Sequence, residues 1–218
     1  MNTKENEQKG TPMEKYHYYM FNKPCGCVTA RKDDKHKTVM DYFEELHNDR
    51  LSPVGRLDRE TEGLLIITDD GGWNQLMTNP ANKKKKVYEF IVFGNVDEKI
   101  KEKLEKGILL KNSSIWTAPA ELEITCRTDF EHFTHIKEDI PQELLEKIKN
   151  NRPDNPVTFG RITITEGRKR QVRRMFKAVG CYVIYLKRVQ IDDIVLDESL
   201  KPGEWKEIKV RWCKEKEF

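Results

Sequence analysis

The sequence predicts an α+β protein with a largely antiparallel or mixed central sheet flanked by helices. Predicted strands outnumber predicted helices, tight turns join several strands, and no internal repeat is visible. At 218 residues the chain is long enough to bury one large core or the cores of two small lobes. We expect the folded domain to span residues 15–213, after a polar and disordered tail over residues 1–14.

The predicted strands are short apolar runs, rich in aromatic and β-branched residues, that stop at turn-forming residues. They lie at 16–21, 64–68, 87–93, 121–125, 161–165, 182–191 and 205–211. The run 87–93 is apolar on both faces, which indicates a central strand of the sheet.

Helices are predicted at 38–46, 73–78, 97–106 and 169–179. For the third of these, Asp97 is a suitable N-cap and Gly107 a suitable stop. Residues 127–157 form a polar insertion interrupted by prolines, with a further short helix predicted at 142–149. Its length exceeds that of ordinary loops, which indicates a functional or mobile element.

Charge is distributed unevenly along the chain. The 40 basic and 37 acidic residues leave a net charge of only +3, yet residues 167–191 contain eight cations and no acid. A second basic run occupies residues 83–86. A solvated helix face normally interleaves both signs, so this segregation predicts a polyanionic partner on one face of the protein.

The five cysteines do not follow a disulfide or zinc-binding pattern, and we interpret them as free thiols in a reducing compartment. No apolar run is long enough to cross a membrane, and the N-terminus has no signal-peptide core. We therefore predict a cytoplasmic protein without membrane contact and without a cysteine-bound zinc.

One carboxylate stands in a notable position. Asp58 lies in the loop sequence Gly-Arg-Leu-Asp-Arg, between Arg56 and Arg59 and just before the predicted strand 64–68. A nearby Arg favours the ionised form of an Asp, which keeps the carboxylate charged and available. An ordinary surface ion pair is the simpler interpretation of such a motif when it stands alone.

The segment 168–179 combines an apolar stripe with a basic face. Its apolar residues recur at helical spacing, which predicts a helix packed on the sheet. Five cations fall between residues 169 and 177, within about three turns, and repel one another, so helix propensity does not explain them. A nucleic-acid backbone does, and the unpaired N–H groups of the first turn add to an anion-binding surface.

Taken together, the motifs resemble those of the RsuA/RluE family of ribosomal RNA pseudouridine synthases. The matching segments cover about residues 16–212 in the same order. They are Asn-Lys-Pro-Cys-Gly at 22–26, Gly-Arg-Leu-Asp at 55–58, Glu-Gly-Leu-Leu at 62–65, Thr-Asp-Asp-Gly at 68–71, Lys-Val-Tyr at 86–88, Glu-Gly-Arg-Lys-Arg-Gln-Val-Arg-Arg-Met at 166–175, Leu-Lys-Arg at 186–188 and Gly-Glu-Trp at 203–205.

This resemblance implies a pseudouridine synthase fold, with two lobes around an RNA-binding cleft, and roles for particular residues. Asp58 corresponds to the family's catalytic Asp, Tyr88 to its active-site Tyr, and Arg173 to the Arg that pairs with the catalytic Asp. The remaining motif cations are expected to bind RNA: Lys23, Arg56, Arg59, Lys86, Arg168, Lys169, Arg170, Arg174, Lys187 and Arg188. The isomerisation of uridine to pseudouridine requires no cofactor and no metal.

Two departures from the family pattern point to its RluE branch. Residues 1–15 are too short for the S4-type RNA-binding module that the family often carries, and the insertion at 127–157 precedes the Glu-Gly-Arg motif. The branch resemblance implies ribosomal RNA as the partner, specifically 23S rRNA of the large subunit. We expect the protein to be a monomer.

Two other classes of function stay open at this stage. One is a catalytically silent RNA-binding or ribosome-assembly protein on the same fold, although the basic helix then leaves the carboxylate of Asp58 unexplained. The other is a metal-dependent nuclease, for which the acid pairs at 69–70 and 192–193 are the available ligands. Within the preferred reading, Asp58 can attack the base, attack the ribose or accept a proton from the sugar.

Overall fold

The computed structural model describes residues 16–129, 132–133, 146 and 156–210. Within them, the strands are β1 (Tyr18–Lys23), β2 (Ser52–Pro53), β3 (Glu62–Thr68), β4 (Lys86–Phe93), β5 (Glu121–Thr128), β6 (Val157–Ile164), β7 (Tyr182–Ile191), β8 (Ile194–Val195) and β9 (Trp205–Glu207). The helices are α1 (Gly71–Thr78), α2 (Glu98–Lys106) and α3 (Gln171–Ala178), with 3-10 turns at Met40–Tyr42, Glu44–Leu46 and Pro80–Asn82.

All nine of these strands belong to one sheet. Seven form a continuous path in the order β5-β6-β4-β7-β3-β1-β9, with β2 added to β3 and β8 added to β7. Among the described strands, the pairing of β3 with β7 is parallel and the other pairings are antiparallel. This confirms the predicted α+β class with a mixed sheet and places β4 and β7 near its centre.

Alternating residues of β3 enter two different cores, because successive side chains of a strand point to opposite faces. Leu64 and Ile66 pack in a cluster with Trp73 of α1. Leu65 and Ile67 belong to the larger cluster on the other face, which includes residues of α2 and α3. The sheet therefore carries helices on both faces, and each fully buried aliphatic side chain contributes roughly 1.5–3 kcal/mol.

Helix α3 lies against the central strands through the apolar stripe that the sequence predicts. The rings of Phe176 and Phe90 approach to 4.6 Å between centroids, and Val172 and Met175 are buried beside them. This contact fixes the position of the basic segment relative to β4 and β7. It also places Gly167 and the residues after it over the middle of the sheet.

Several predicted boundaries are confirmed. Strand β7 spans the predicted residues, and the Asp97 side chain caps α2 by accepting from the Ile100 N–H at 2.8 Å. Gly107 ends α2 with φ at +93°, where an added Cβ would lie 2.4 Å from the Thr117 carbonyl oxygen. Strand β5 continues to Thr128, into the predicted insertion.

The helix predicted at 38–46 is wrong, because this segment forms two separate 3-10 turns. Phe43 lies between them with φ at −121°, outside the helical range. Its ring packs against Phe21, Tyr19 and Trp205 at centroid distances of 5.3 to 5.8 Å. Burial of this aromatic ring outweighs the few hydrogen bonds that a continuous helix would add.

Four further predictions differ from the structure or fall wholly or mostly outside the described residues. Strand β6 begins at Val157, four residues before the predicted start, and β9 ends at Glu207. The disordered tail at 1–14 lies outside the described residues, and of the helix predicted at 142–149 only residue 146 is described. No helix in the described part of the chain combines the length and the apolar character that crossing a membrane requires.

Candidate active site

Local hydrogen bonds fix the loop that carries Asp58. Gly55 takes a left-handed conformation with φ at +69°, and the Thr61 N–H donates to the Asp58 carbonyl at 3.0 Å. Leu57 is buried, and the Thr29 hydroxyl donates to its carbonyl at 2.8 Å and accepts from its N–H at 3.1 Å. The anchored Leu57 on one side and the turn to Thr61 on the other hold Asp58 in a defined position.

Lys23 supports the same loop from below. Its side chain is 0% exposed, and Nζ donates to the backbone carbonyls of Pro24, Arg59 and Thr61 at 3.0, 3.3 and 2.9 Å. Burial lowers the pKa of the Lys23 ammonium below its ordinary value. From this position Lys23 does not reach a phosphate, so the geometry does not support the predicted RNA contact and indicates a role in holding the Asp58 loop.

The Asp58 loop, β4, β7 and the start of α3 enclose a cavity of about 380 Å³. Such a volume lies within the range of about 300–1,000 Å³ that is common for small-molecule sites. Asp58, Tyr88 and Arg173 all line it. The three residues that the sequence predicts to be catalytic are thus brought together, although they are separated by 30 and 85 residues in the chain.

Asp58 is half-buried at this cavity. Its carboxylate forms no hydrogen bond or ion pair with the residues that the structure describes. By contrast, Asp70 receives the Tyr18 hydroxyl at 2.6 Å and caps α1, and Asp69 accepts from His17. Asp58 is therefore available for chemistry, whereas the Asp69–Asp70 pair has structural partners.

Tyr88 projects from a β-bulge in the middle of the sheet. It pairs with Arg188 of β7 and Ile162 of β6, and the β4–β7 register shifts between Val87 and Tyr88. Bulges often redirect a side chain beside an active site. The residue is 8% exposed, and its ring belongs to the main core cluster while it also lines the cavity.

Arg173 contacts the backbone of the Asp58 loop rather than the Asp58 side chain. Nη2 donates to the Glu60 carbonyl at 2.9 Å and Nη1 to the Val183 carbonyl at 3.3 Å. No hydrogen bond or ion pair joins Arg173 to the Asp58 carboxylate among the described residues, so the direct pair that the resemblance implies is not formed here. Burial lowers the pKa of Arg173, and the charges of Glu60 and Asp58 oppose this shift.

A network that sequence reasoning missed fixes the entry to α3. Gln171 is buried, and its Nε2 donates to Glu166 Oε1 at 2.6 Å while its Oε1 accepts the Arg168 N–H at 2.9 Å. Glu166 Oε1 also accepts the Ala118 N–H at 2.9 Å. Arg170 precedes the helix with φ at +51°. The sequence signal that could have revealed this network is the presence of Glu166 and Gln171 in one motif, on either side of Gly167.

The cations predicted to bind RNA fall into two groups. In the first, the side-chain nitrogens have partners within the protein: Lys23, Lys86, Arg168, Arg170, Arg174 and Arg188. In the second, the side chain forms no hydrogen bond or ion pair with the described residues: Arg56, Arg59, Lys169 and Lys187. The second group is free to contact phosphates.

Besides Lys23, two members of the first group lie at the cavity, Arg188 buried and Lys86 half-buried. Arg188 is 2% exposed, and its Nε donates to the Leu64 carbonyl at 2.8 Å, so its position does not support a phosphate contact. Burial also lowers the pKa of Lys86, and the positive charge of Arg188 lowers it further. Both residues line the cavity. Their positive charge acts on the cavity interior rather than on the outer surface.

Among the described residues, no three His, Cys, Asp or Glu side chains are grouped as metal ligands. Cys25, Cys27, Cys126 and Cys181 are free thiols in this structure, as the sequence predicts. The expected absence of a cofactor stays a prediction.

The site and fold agree with what comparison with known proteins shows. Residues 17–178 match the model of the RNA pseudouridylate synthase family, which is most of the chain. The chain belongs to this family and is a pseudouridine synthase, an isomerase. This confirms the family and the enzyme class that the sequence motifs predict.

Individual relatives are similar over most of their length. The ribosomal small subunit pseudouridine synthase A of Haemophilus influenzae is 35% identical over 196 residues, covering 90% of this chain and 72% of that protein. The protein of the same name from Escherichia coli K12 is 34% identical over 200 residues, covering 90% and 74% respectively. The names of these relatives refer to the small subunit, and the RluE branch stays a prediction.

Solved structures support the fold. A pseudouridylate synthase crystal structure, 35% identical, aligns with a TM-score of 0.71 over 91% of this chain and 73% of that one. A chain of the archaeal box H/ACA sRNP Nop10–Cbf5 complex aligns with a TM-score of 0.55 at 15% identity, covering 86% of this chain and 51% of its own. The second comparison concerns the fold alone.

Replacing Lys23 by Met tests the support beneath the Asp58 loop. The change keeps an unbranched buried side chain but removes the Nζ donor from three carbonyls, of which that of Arg59 retains the Gly26 N–H. We expect the free energy of unfolding to fall by about 1–3 kcal/mol and turnover to fall as the loop loosens. Urea denaturation and single-turnover assays measure the two effects. Lys35→Met, at an exposed lysine, is the control; an unchanged unfolding free energy in Lys23→Met would contradict the assigned role.

Replacing Arg173 by Lys tests whether the fork geometry matters beyond charge. Lys keeps the positive charge but cannot reach the Glu60 and Val183 carbonyls together. We expect the single-turnover rate at saturating RNA to fall by about tenfold to a hundredfold, because a shifted loop misplaces Asp58. The exposed Lys177→Ala on the same helix should mainly weaken binding. Equal effects of both variants on rate and affinity would rule out separate roles.

Proposed function

We propose that this protein isomerises uridine to pseudouridine in ribosomal RNA, with Asp58 as the catalytic carboxylate. The observation that carries the proposal is the position of Asp58: a carboxylate without a partner among the described residues, in a cavity that also contains Tyr88 and Arg173. The family membership of the chain gives this geometry its chemical meaning.

The reaction conserves all atoms of the nucleoside. The bond between N1 of the base and C1′ of the ribose breaks, the base rotates, and a bond forms between C5 and C1′. C5 then loses its proton, and N1 gains one. Asp58 can serve as nucleophile at the ribose, as nucleophile at the base, or as acceptor of a sugar proton, and each of these roles requires the ionised carboxylate.

The target uridine has to leave its stack to enter the cavity, which costs a few kcal/mol. The ring of Tyr88 supplies a face for the base, and such stacking returns about 1–3 kcal/mol. The guanidinium of Arg173 holds the Asp58 loop through the Glu60 carbonyl, and its Nε has no partner within the described residues. We assign Tyr88 to base placement and deprotonation, and Arg173 to positioning of Asp58.

The free cations around the cavity are the proposed phosphate ligands. Lys169 and Arg56 line the cavity, and Arg59 lies in the same loop as Asp58. Six of the ten motif cations, including Arg168, are tied to carbonyls or carboxylates of the protein. The number of phosphate contacts is therefore smaller than the charge of the basic segment indicates.

Salt dependence measures that number. A single-stranded phosphate contact contributes about −0.7 to the slope of log K against log salt, so four contacts predict a slope of roughly −3. Fluorescence titration of the protein with an rRNA fragment over a range of potassium chloride gives the slope. Lys169→Ala should reduce its magnitude by about 0.7. A slope near zero would show that these cations do not face nucleic acid.

The names of the relatives and the branch resemblance point to different RNAs. The relatives are named for the small subunit, whereas the RluE resemblance implies 23S rRNA of the large subunit. We favour small-subunit rRNA, because the identity of 34 to 35% extends over 90% of this chain. Pseudouridine formation in unmodified transcripts of the two rRNAs decides between them. The transcripts are offered separately and together with assembling particles. We further propose that the protein acts in the cytoplasm as a monomer.

One experiment separates the proposed function from the alternatives. The protein is incubated with unmodified rRNA in excess EDTA, and pseudouridine is mapped by chemical modification and primer extension. New pseudouridine at a defined position supports the proposal. Intact RNA without pseudouridine would leave a silent RNA-binding protein, and metal-dependent cleavage on replacing EDTA by Mg²⁺ would indicate a nuclease. The second alternative is weakened because Asp192 pairs with Lys84 at 2.6 Å.

A further inference from the structure

Beside the cavity lies an exposed apolar surface that the proposed chemistry does not use. Leu109, Ile115 and Trp116 are 45%, 66% and 62% exposed. Leu109 and Trp116 face each other across an isolated antiparallel bridge, so we call residues 108–117 the hairpin. Exposure of a cluster of large apolar side chains marks an interaction site more often than a structural one.

The hairpin is closed by its own hydrogen bonds. The Thr117 N–H donates to the Ile108 carbonyl at 3.0 Å, and the Ile108 N–H donates to the Thr117 hydroxyl at 2.9 Å. At the tip, the Ser113 hydroxyl donates to the Ile115 carbonyl at 2.9 Å, and Asn112 takes φ at +62°. The exposed side chains therefore stand on an ordered turn, which reduces the entropic cost of binding to them.

Two arginines of the basic segment attach the hairpin to the active site. Arg168 donates to the carbonyls of Ile115 and Trp116 at 2.9 and 2.6 Å, and Arg174 donates to the Lys111 carbonyl at 2.8 Å. Arg168 also lines the cavity. One guanidinium thus connects the wall of the cavity to the backbone beneath Trp116, which places the hairpin at the rim.

The charge around the hairpin matches a polyanion. Lys111 of the hairpin is exposed, and so are Lys169 and Arg170, which follow Arg168 in the chain. A protein partner of ordinary composition gains little from such a cationic rim, whereas a nucleic-acid strand needs both cations for phosphates and flat apolar faces for bases. Trp offers the largest flat face of any side chain.

We propose that Trp116 stacks on an unpaired nucleotide of the substrate RNA that flanks the target uridine, with Ile115 beside it. This inference rests on the proposed function and adds a specificity contact outside the cavity. A base held at the rim restricts which uridines are presented to Asp58, because the flanking nucleotide has to be unpaired and within reach of the hairpin.

The test compares Trp116→Ala, Trp116→Phe and Trp116→Leu. These substitutions keep the contact with Arg168, because Arg168 binds the backbone carbonyl of residue 116 and not its side chain. We expect Trp116→Ala to weaken binding of an unmodified rRNA transcript by about five- to a hundredfold, Trp116→Leu to weaken it similarly, and Trp116→Phe to retain most of the affinity. Val195→Ala, at a side chain 58% exposed outside the hairpin, should bind as the parent protein does.

Two further readouts distinguish stacking from other effects. A stacking contact is not ionic, so Trp116→Ala should leave the salt slope unchanged, along with the single-turnover rate at saturating RNA and the urea midpoint. If the parent protein and Trp116→Ala bind RNA with equal affinity, the inference is overturned. The proposed function stays intact in that case, provided that the pseudouridine yield is normal. Loss of binding confined to particles that contain ribosomal proteins would also overturn it and assign the hairpin to a protein. Absence of pseudouridine in the parent reaction would overturn the proposed function itself.

Discussion

Replacing Asp58 by Asn should abolish pseudouridine formation, with a loss of roughly 10⁴-fold or more, while RNA affinity is retained. The substitution is nearly isosteric and leaves the backbone turn to Thr61 in place, but it removes the charge that every candidate mechanism requires. Because the charge removed is negative and faces a polyanion, binding should be unchanged or slightly tighter. Single-turnover pseudouridine yield and fluorescence titration with the same rRNA transcript measure the two quantities.

Glu60→Gln is the matched control for this variant. Glu60 lies in the same loop as Asp58, and Glu60→Gln also removes one carboxylate. The Glu60 side chain, however, faces Arg170 at 3.5 Å and does not line the cavity. Its contact to Arg173 runs through the backbone carbonyl, which the substitution keeps. We expect turnover within about threefold of the parent value, in line with an exposed ion pair of small energetic weight. Comparable losses in the two variants would mean that the charge of the loop, rather than Asp58, is what matters.

The sequence predicted the fold well wherever apolar pattern and capping residues agree. Strand β7 and helix α2 have the predicted ends because both signals are local, and an Asp N-cap or a Gly stop acts within one turn. The segment at 38–46 failed for the opposite reason. Its apolar spacing is compatible with a helix, but the ring of Phe43 meets Phe21 and Trp205, which are distant in sequence.

The site shows the same division between local and distant information. Asp58, Tyr88 and Arg173 could be found because each belongs to a motif, and the structure brings all three to one cavity. The partners of Lys23, Arg173 and Arg188 could not be predicted, because their acceptors are backbone carbonyls far along the chain. Lys23 binds the carbonyl of a residue 38 positions away, and Arg173 that of a residue 113 positions away.

A backbone acceptor leaves no trace in the residue types. A buried Arg that holds a loop and an exposed Arg that holds a phosphate therefore look alike in a sequence. Arg188 illustrates the point: it lies in a motif rich in cations, yet its Nε is bound to the Leu64 carbonyl inside the sheet. The distinction matters for experiments, since removing a bracing cation lowers stability, whereas removing a phosphate ligand lowers the salt slope.

Tyr88 offers the second large effect, because its ring and its hydroxyl have separate proposed tasks. In Tyr88→Phe the aromatic face remains, so RNA affinity should stay within about twofold of the parent value. The hydroxyl is the group we assign to removal of the proton from C5 after the new carbon–carbon bond forms. General-base catalysis contributes about 10²–10⁴-fold, and the yield of pseudouridine in a single turnover should fall by that factor.

Tyr88→Leu should fail in an additional way, because it removes the face on which the base rests. RNA affinity should then fall by about 1–3 kcal/mol, the value of one stacked base. Tyr88 also belongs to the main core cluster, so urea denaturation of both variants is needed to separate loss of packing from loss of placement. Normal turnover in Tyr88→Phe would confine Tyr88 to stacking. Normal turnover and affinity in a less stable Tyr88→Leu would assign the residue to the core alone, since only packing would then depend on its ring.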